Sequence, residues 1–202
     1  MLATALSVGS VAIFASLFSG AAPGDKSPLA SHRAHVVDVP LTRVGGTAGA
    51  VERRVGDIVL VTVPPDVATL EGELTMQRAL AARERRRVLL FLVVPECAPC
   101  TAVELALPAA ELQRALGGTR LVRIDASLFT PELGRIGIPA DAFPGFARVG
   151  PDGRATDFLD GGEWDEDVPT SMAPVLERFI AGTVTVRRRP WRGGPHPDET
   201  PL

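Results

Sequence analysis

Val88-Leu89-Leu90-Phe91-Leu92-Val93-Val94-Pro95-Glu96-Cys97-Ala98-Pro99-Cys100 is the stretch on which the fold turns. Seven apolar residues in a row suit a strand covered on both faces, as in the middle of a parallel sheet. Pro95 lacks a backbone donor and stops that strand. The residues after it read as a helix from about Cys97 to Leu116, with Leu105, Leu112 and Leu116 on one apolar side. Gly117-Gly118 ends this helix, and Pro108 should kink it. The chain has two cysteines in 202 residues, and both fall where strand gives way to helix.

That placement has chemical consequences. A first cysteine at a helix N-terminus meets free backbone N–H groups and the positive end of the macrodipole, which favour a thiolate. The second cysteine lies about one turn on, near the same face, so the two sulfurs can close a small ring. A Cys97 thiolate would attack a disulfide, and Cys100 would resolve the mixed disulfide. Pro99 denies its turn one N–H and stiffens the loop, while Ala98 fills the remaining position between the cysteines. A static disulfide and a pair of inert thiols remain as alternatives. A zinc site needs four ligands, and His32, His35 and His196 all stand outside the segment that holds the dithiol, so no metal is assigned.

Working outward, Ile58-Val59-Leu60-Val61-Thr62-Val63 is a β-rich run ended by Pro64-Pro65. Asp66 can cap a helix continued by Leu70, Leu74, Gln77, Leu80 and Ala81 at a period near 3.6. Downstream of the dithiol, Leu121 to Ile124 is a strand and Pro131 to Ile136 a short helical piece. Gly145 to Val149 and Arg154 to Leu159 are short strands joined by the turn Gly150-Pro151-Asp152-Gly153. A last amphipathic helix runs from about Thr170 to Ala181. The order β-α-β-α-β-α-β-β-α describes an α/β protein with a central mixed sheet and helices on both faces.

Over roughly Asp57 to Gly182 this arrangement resembles the thioredoxin superfamily. The matching features are the strand Val88 to Val94, the dithiol Cys97-Ala98-Pro99-Cys100, the strand ending Val122-Arg123-Ile124-Asp125, and Phe143-Pro144-Gly145-Phe146-Ala147-Arg148-Val149 with the turn to Gly153. The resemblance implies a three-layer thioredoxin-like fold over 57–182 and a cis-proline at Pro144, with Pro139 the weaker match. It also implies a substrate groove lined by Phe143 and Pro144, and thiol–disulfide exchange with protein dithiol or disulfide clients and a separate redox partner. It calls for no cofactor. Three positions depart from the family pattern. Glu96 replaces the aromatic residue before the first cysteine and sets a negative charge beside the thiolate, which disfavours it. Phe91 takes the place of a buried proton-moving acid, and Leu121 that of the lysine often paired with it.

The flanks and totals bound the rest. Residues 1–22 carry no charge and include the apolar run Val11 to Phe18, followed by the small residues Ser19-Gly20-Ala21-Ala22. This segment reads as a signal peptide or N-terminal membrane anchor, which places the domain outside the cytoplasm, in the periplasm or attached to a membrane. Residues 23–56 read as a linker with an extra edge strand at His35 to Val39. Residues 183–202 read as a flexible C-terminal tail. A net charge of −3 and 5% aromatics without tyrosine argue against nucleic acid as a partner. The runs Arg85 to Arg87 and Arg187 to Arg189 read as solvated element ends, and the acids from Asp157 to Asp167 as a solvated loop. Met76 and Met172 read as core, and Trp164 as packed on the domain. Three functions stay open: an oxidoreductase outside the cytoplasm, a non-catalytic module that binds partners through the groove beside Pro144, and a dithiol carrier in metal or haem maturation.

Overall fold

The structure is a computed structural model, and it describes residues 49–191 and 193. Among these residues six strands form one mixed sheet: β1 (Val51–Val55), β2 (Ile58–Thr62), β3 (Arg87–Val93), β4 (Thr119–Asp125), β5 (Gly145–Val149) and β6 (Ala155–Asp160). Their order across the sheet is β1-β2-β4-β3-β5-β6. The three inner strands β2, β4 and β3 run parallel, and β1 pairs antiparallel with β2, β5 with β3 and β6 with β5. The helices are α1 (Leu70–Arg83), α2 (Ala98–Ala106), α3 (Ala110–Leu116), α4 (Thr130–Arg135) and α5 (Pro169–Ala181).

The alternation of a strand decides the layers. Leu89, Phe91 and Val93 of β3 face a core shared with Val103 of α2, Leu112 of α3 and Leu176 of α5. Leu90 and Leu92 face the opposite core, shared with Leu70 and Leu74 of α1 and Leu133 of α4. A sheet between two helical layers, with a parallel centre and an antiparallel β5–β6 hairpin, is the α/β thioredoxin-like architecture that the sequence implies. Among the described residues no helix is long and apolar enough to cross a membrane.

Several details differ from the sequence expectations. Pro108 breaks the long helix instead of kinking it: α2 ends at Ala106, Ala109 is extended, and α3 starts afresh at Ala110. Proline has no N–H for the helical ladder, and its ring clashes with the carbonyl four residues back. Gln113 of α3 then ties the pieces together, accepting from the Asp57 N–H at 2.9 Å and donating to the Val55 and Leu107 carbonyls at 2.9 and 2.7 Å. Leu105 is not core but 75% exposed, because α2 buries the face of Cys100, Val103 and Ala106 and Leu105 falls on the other side. The N-cap of α1 is Thr69, not Asp66; its hydroxyl accepts from the Gly72 N–H at 3.1 Å. Met172 is buried and Met76 half-buried, and Trp164 is buried at 5% exposure.

An edge strand does arise in the stretch read as linker, at Val51–Val55, where the two-residue turn Gly56-Asp57 folds it back onto β2. The strand expected at His35 to Val39 and the leader at 1–22 lie outside the described residues. At the other end, residues 183–191 are not a flexible tail. They run along β6, and the arginine run and the acidic loop, each read as merely solvated, pair with each other. Arg187 donates to both Asp157 carboxylate oxygens at 2.7 Å and to the Phe158 carbonyl. Arg188 donates from Nη2 to Asp165 at 2.7 Å. Opposite charges some thirty residues apart in sequence are the signal that would have joined these segments.

Arg120 of β4, 1% exposed, is the largest fully buried side chain among the described residues. Its Nε and Nη2 donate to Gln77 Oε1 at 3.1 and 2.8 Å, and its Nη1 to both Glu84 oxygens at 3.0 Å. Nη2 also meets Glu52 of β1. A buried guanidinium is tolerable only when its donors are taken up in this way. The network fastens α1 and the edge strand to the middle of the sheet.

Candidate redox site

Register brings the site together. Leu92 lies opposite Gly145, and Val93 opposite Asp125. The end of β3, the end of β4 and the start of β5 therefore meet at one end of the sheet, where the loop to the dithiol begins and Pro144 precedes β5. The backbone passes Pro95 and turns at Glu96, whose φ of 58° lies in the left-handed region and whose side chain is exposed. Cys97 is the N-cap of α2, and Ala98 and Pro99 form its first turn. Pro99 is tolerated there because the first helical N–H groups have no intrahelical acceptor.

Cys97 and Cys100 are disulfide-bonded, with Cα atoms 5.2 Å apart. Their surroundings differ. Cys97 is half-buried, whereas Cys100 is 3% exposed and belongs to the core that contains Phe91 and Val103. The Cys100 N–H points at Cys97 Sγ, 3.1 Å away. This is an orphan donor of the helix start, and negative charge on that sulfur is favoured by it and by the helix dipole. The Cys97 carbonyl accepts from the Thr101 N–H at 3.0 Å and its hydroxyl at 3.2 Å, which fixes the cap.

The Phe143–Pro144 peptide is cis, and Pro139 is not. Pro144 is buried, and Phe143 packs against both cores at the end of the sheet; Cys97 packs against one of them. Gly161 donates its N–H to the Pro144 carbonyl at 2.9 Å. A Cβ on Gly161 would stand 2.8 Å from Pro144 Cδ, so glycine is required for this close approach. Sequence reading passed over Gly161, since a glycine in an acidic loop carries no sign of what it approaches. Phe91 is fully buried and stacks on Phe146 with centroids 5.0 Å apart, and Phe146 meets Trp164 edge-on at 6.1 Å. Leu121 is likewise core. An ion pair does cross from α2 to β4 nearby, between Glu104 and Arg123 at 2.7 Å. Among the described residues no group of three or more metal-ligating side chains comes together.

No protein-family model matches this sequence, and no curated protein matches it. Among solved structures, the disulphide isomerase from Xylella fastidiosa Temecula1 is similar at 19% identity, with a TM-score of 0.39. The likeness covers 58% of this chain and 92% of that one. The fold itself is read from the strand order and the two helical layers described above.

Proposed function

We propose that the chain is a thiol–disulfide oxidoreductase acting through Cys97 and Cys100. One observation carries the reading: the half-exposed sulfur sits at a helix start and receives a backbone N–H, while its partner is buried directly behind it. In the reducing direction the Cys97 thiolate attacks one sulfur of a client disulfide, forming a mixed disulfide and releasing a client thiolate. Cys100 then loses its proton and attacks Cys97 Sγ, closing the Cys97–Cys100 disulfide and releasing the second client thiolate. Two electrons pass to the client, and the reverse sequence oxidises a client dithiol. Phe143 and Pro144, at the same end of the sheet, form the edge on which the client chain lies.

The uncharged apolar segment 1–22 supports action outside the cytoplasm, with or without membrane attachment. A second reading, client binding without turnover, is favoured by the packing of Phe91, which fills with hydrocarbon the core that Cys100 shares. Trapping separates the two. Cys100→Ser should accumulate mixed disulfides with clients and Cys97→Ser none. Equal trapping by both variants would refute the assignment of roles, and trapping by neither would favour the binding module.

A further inference from the structure

We propose that the C-terminal arm, residues 183–191, positions the client-binding edge by holding the loop that leads into Pro144. The inference rests on reading Phe143 and Pro144 as that edge. Residues 137–144 join α4 to β5. The backbone of residues 139–143 makes no hydrogen bond to other described residues, so the ends of the loop set its place. At one end stand Gly137 and Ile138, bonded back to Gly134 and Leu133 of α4; at the other stands Pro144, bonded to Gly161.

The arm touches both ends. Gly182, with φ of 71°, ends α5 and lets the chain turn back along β6. Arg187 anchors it there, bidentate on Asp157 and over the Phe179 ring at 5.7 Å. The N–H groups of Arg188 and Arg189 donate to the Glu163 carboxylate at 3.1 and 2.9 Å, and the Arg189 guanidinium lies 3.5 Å from Asp160. Asp160 to Glu163 is the turn that carries Gly161, so the arm grips the turn that grips Pro144. Past Pro190, Trp191 reaches the opposite face of the sheet. Its indole N–H donates to the Gly137 carbonyl at 3.2 Å, and its ring packs on the core that holds Ile138 and supports Ala142 and Phe143. The side chains of Arg187 and Asp157 are 15% and 21% exposed, whereas those of Arg188 and Asp165 are 53% and 78% exposed. Solvent screens the second pair, so Arg187 and Trp191 are the working contacts. Neither touches the sulfurs; both are positioning residues.

The test is Arg187→Gln combined with Trp191→Ala in the full chain. Hydrogen exchange at the Ile138 and Gly161 N–H groups, bonded to Leu133 and Pro144 at the two ends of the loop, should speed up about tenfold while β3 is unaffected. In single-turnover reactions of the reduced protein with insulin, the half-saturating insulin concentration should rise about threefold with the limiting rate unchanged. Reduction of the Cys97–Cys100 disulfide by dithiothreitol, too small to need the groove, should stay as in the wild type. Unchanged exchange at Ile138 and Gly161 overturns the proposal, as does an equal fall in the limiting rate and the dithiothreitol rate. A wild-type protein inert toward insulin would sink the oxidoreductase reading instead; the exchange data decide the clamp on their own.

Discussion

Gln77→Leu puts a hydrocarbon side chain at a site that is 1% exposed. Counted by burial alone, the change should stabilise, since a fully buried leucine contributes about 1.5–3 kcal/mol. The polar contacts say otherwise. Arg120 loses the acceptor of two bonds, at 3.1 and 2.8 Å. Glu73, 7% exposed, loses the Gln77 Nε2 donor at 2.8 Å. A hydrogen bond to a charged group contributes about 1.5–3 kcal/mol, and an unmet buried partner costs about as much. Glu84 and Glu52 still hold the guanidinium, which keeps the loss below that of an orphaned buried ion. The net expectation is a destabilisation of about 2–4 kcal/mol. Urea unfolding with the disulfide intact, followed by far-UV circular dichroism, measures it. Arg120→Met and the double variant complete a cycle, in which the double change should cost at least about 1 kcal/mol less than the sum of the singles. A Gln77→Leu protein as stable as the wild type, or an additive cycle, would refute the view that Gln77 is there to satisfy Arg120.

Two further outcomes follow from single atoms. Thr119 is fully buried, and its Oγ1 has no hydrogen-bond partner among the described residues. Thr119→Val should raise stability by about 1 kcal/mol in the same urea assay, and a loss would mean the hydroxyl is satisfied after all. Glu96 holds a left-handed backbone, so Glu96→Gly should stabilise by about 1 kcal/mol. Thermal unfolding at neutral pH checks this, and a lower midpoint would show that the turn before the dithiol does not constrain its residue.

Much of the domain was legible because its decisive signals are local. The unbroken run Leu89 to Val93, short and bounded by Pro95, reads as a strand buried on both faces. The dithiol follows at the helix start for that reason, and the Gly150 to Gly153 turn places the β5–β6 hairpin to within a residue. What escaped depends on residues distant in the chain. Leu105 shares a face with Leu112 and Leu116 only on one continuous helix; with the chain broken at Pro108, α2 buries the face of Cys100 and Val103 and leaves Leu105 outside. Arg120 carries a charge inside a strand, and its burial makes sense only once Gln77 and Glu84 arrive with α1 and Glu52 with β1. The arm was missed because prolines and arginines resemble a solvated tail until the acids of another loop stand opposite them.

The Asp157–Arg187 couple does one thing more at the border of the sheet. The Phe158 N–H donates to Asp157 Oδ1 at 2.9 Å and its carbonyl accepts from Arg187, so the middle of β6 has its hydrogen-bonding groups occupied by side chains. On the far border, β1 presents Glu52, Arg53 and Arg54. One border is capped and the other carries charge, two devices that discourage the edge-to-edge pairing from which aggregation starts. A protease that nicked the arm near Arg187 would leave the dithiol and the buried residues of both cores in place, releasing Trp191 from the rim of one. It would also free β6 to recruit other strands, so the cleaved product should precipitate at concentrations where the intact chain stays in solution.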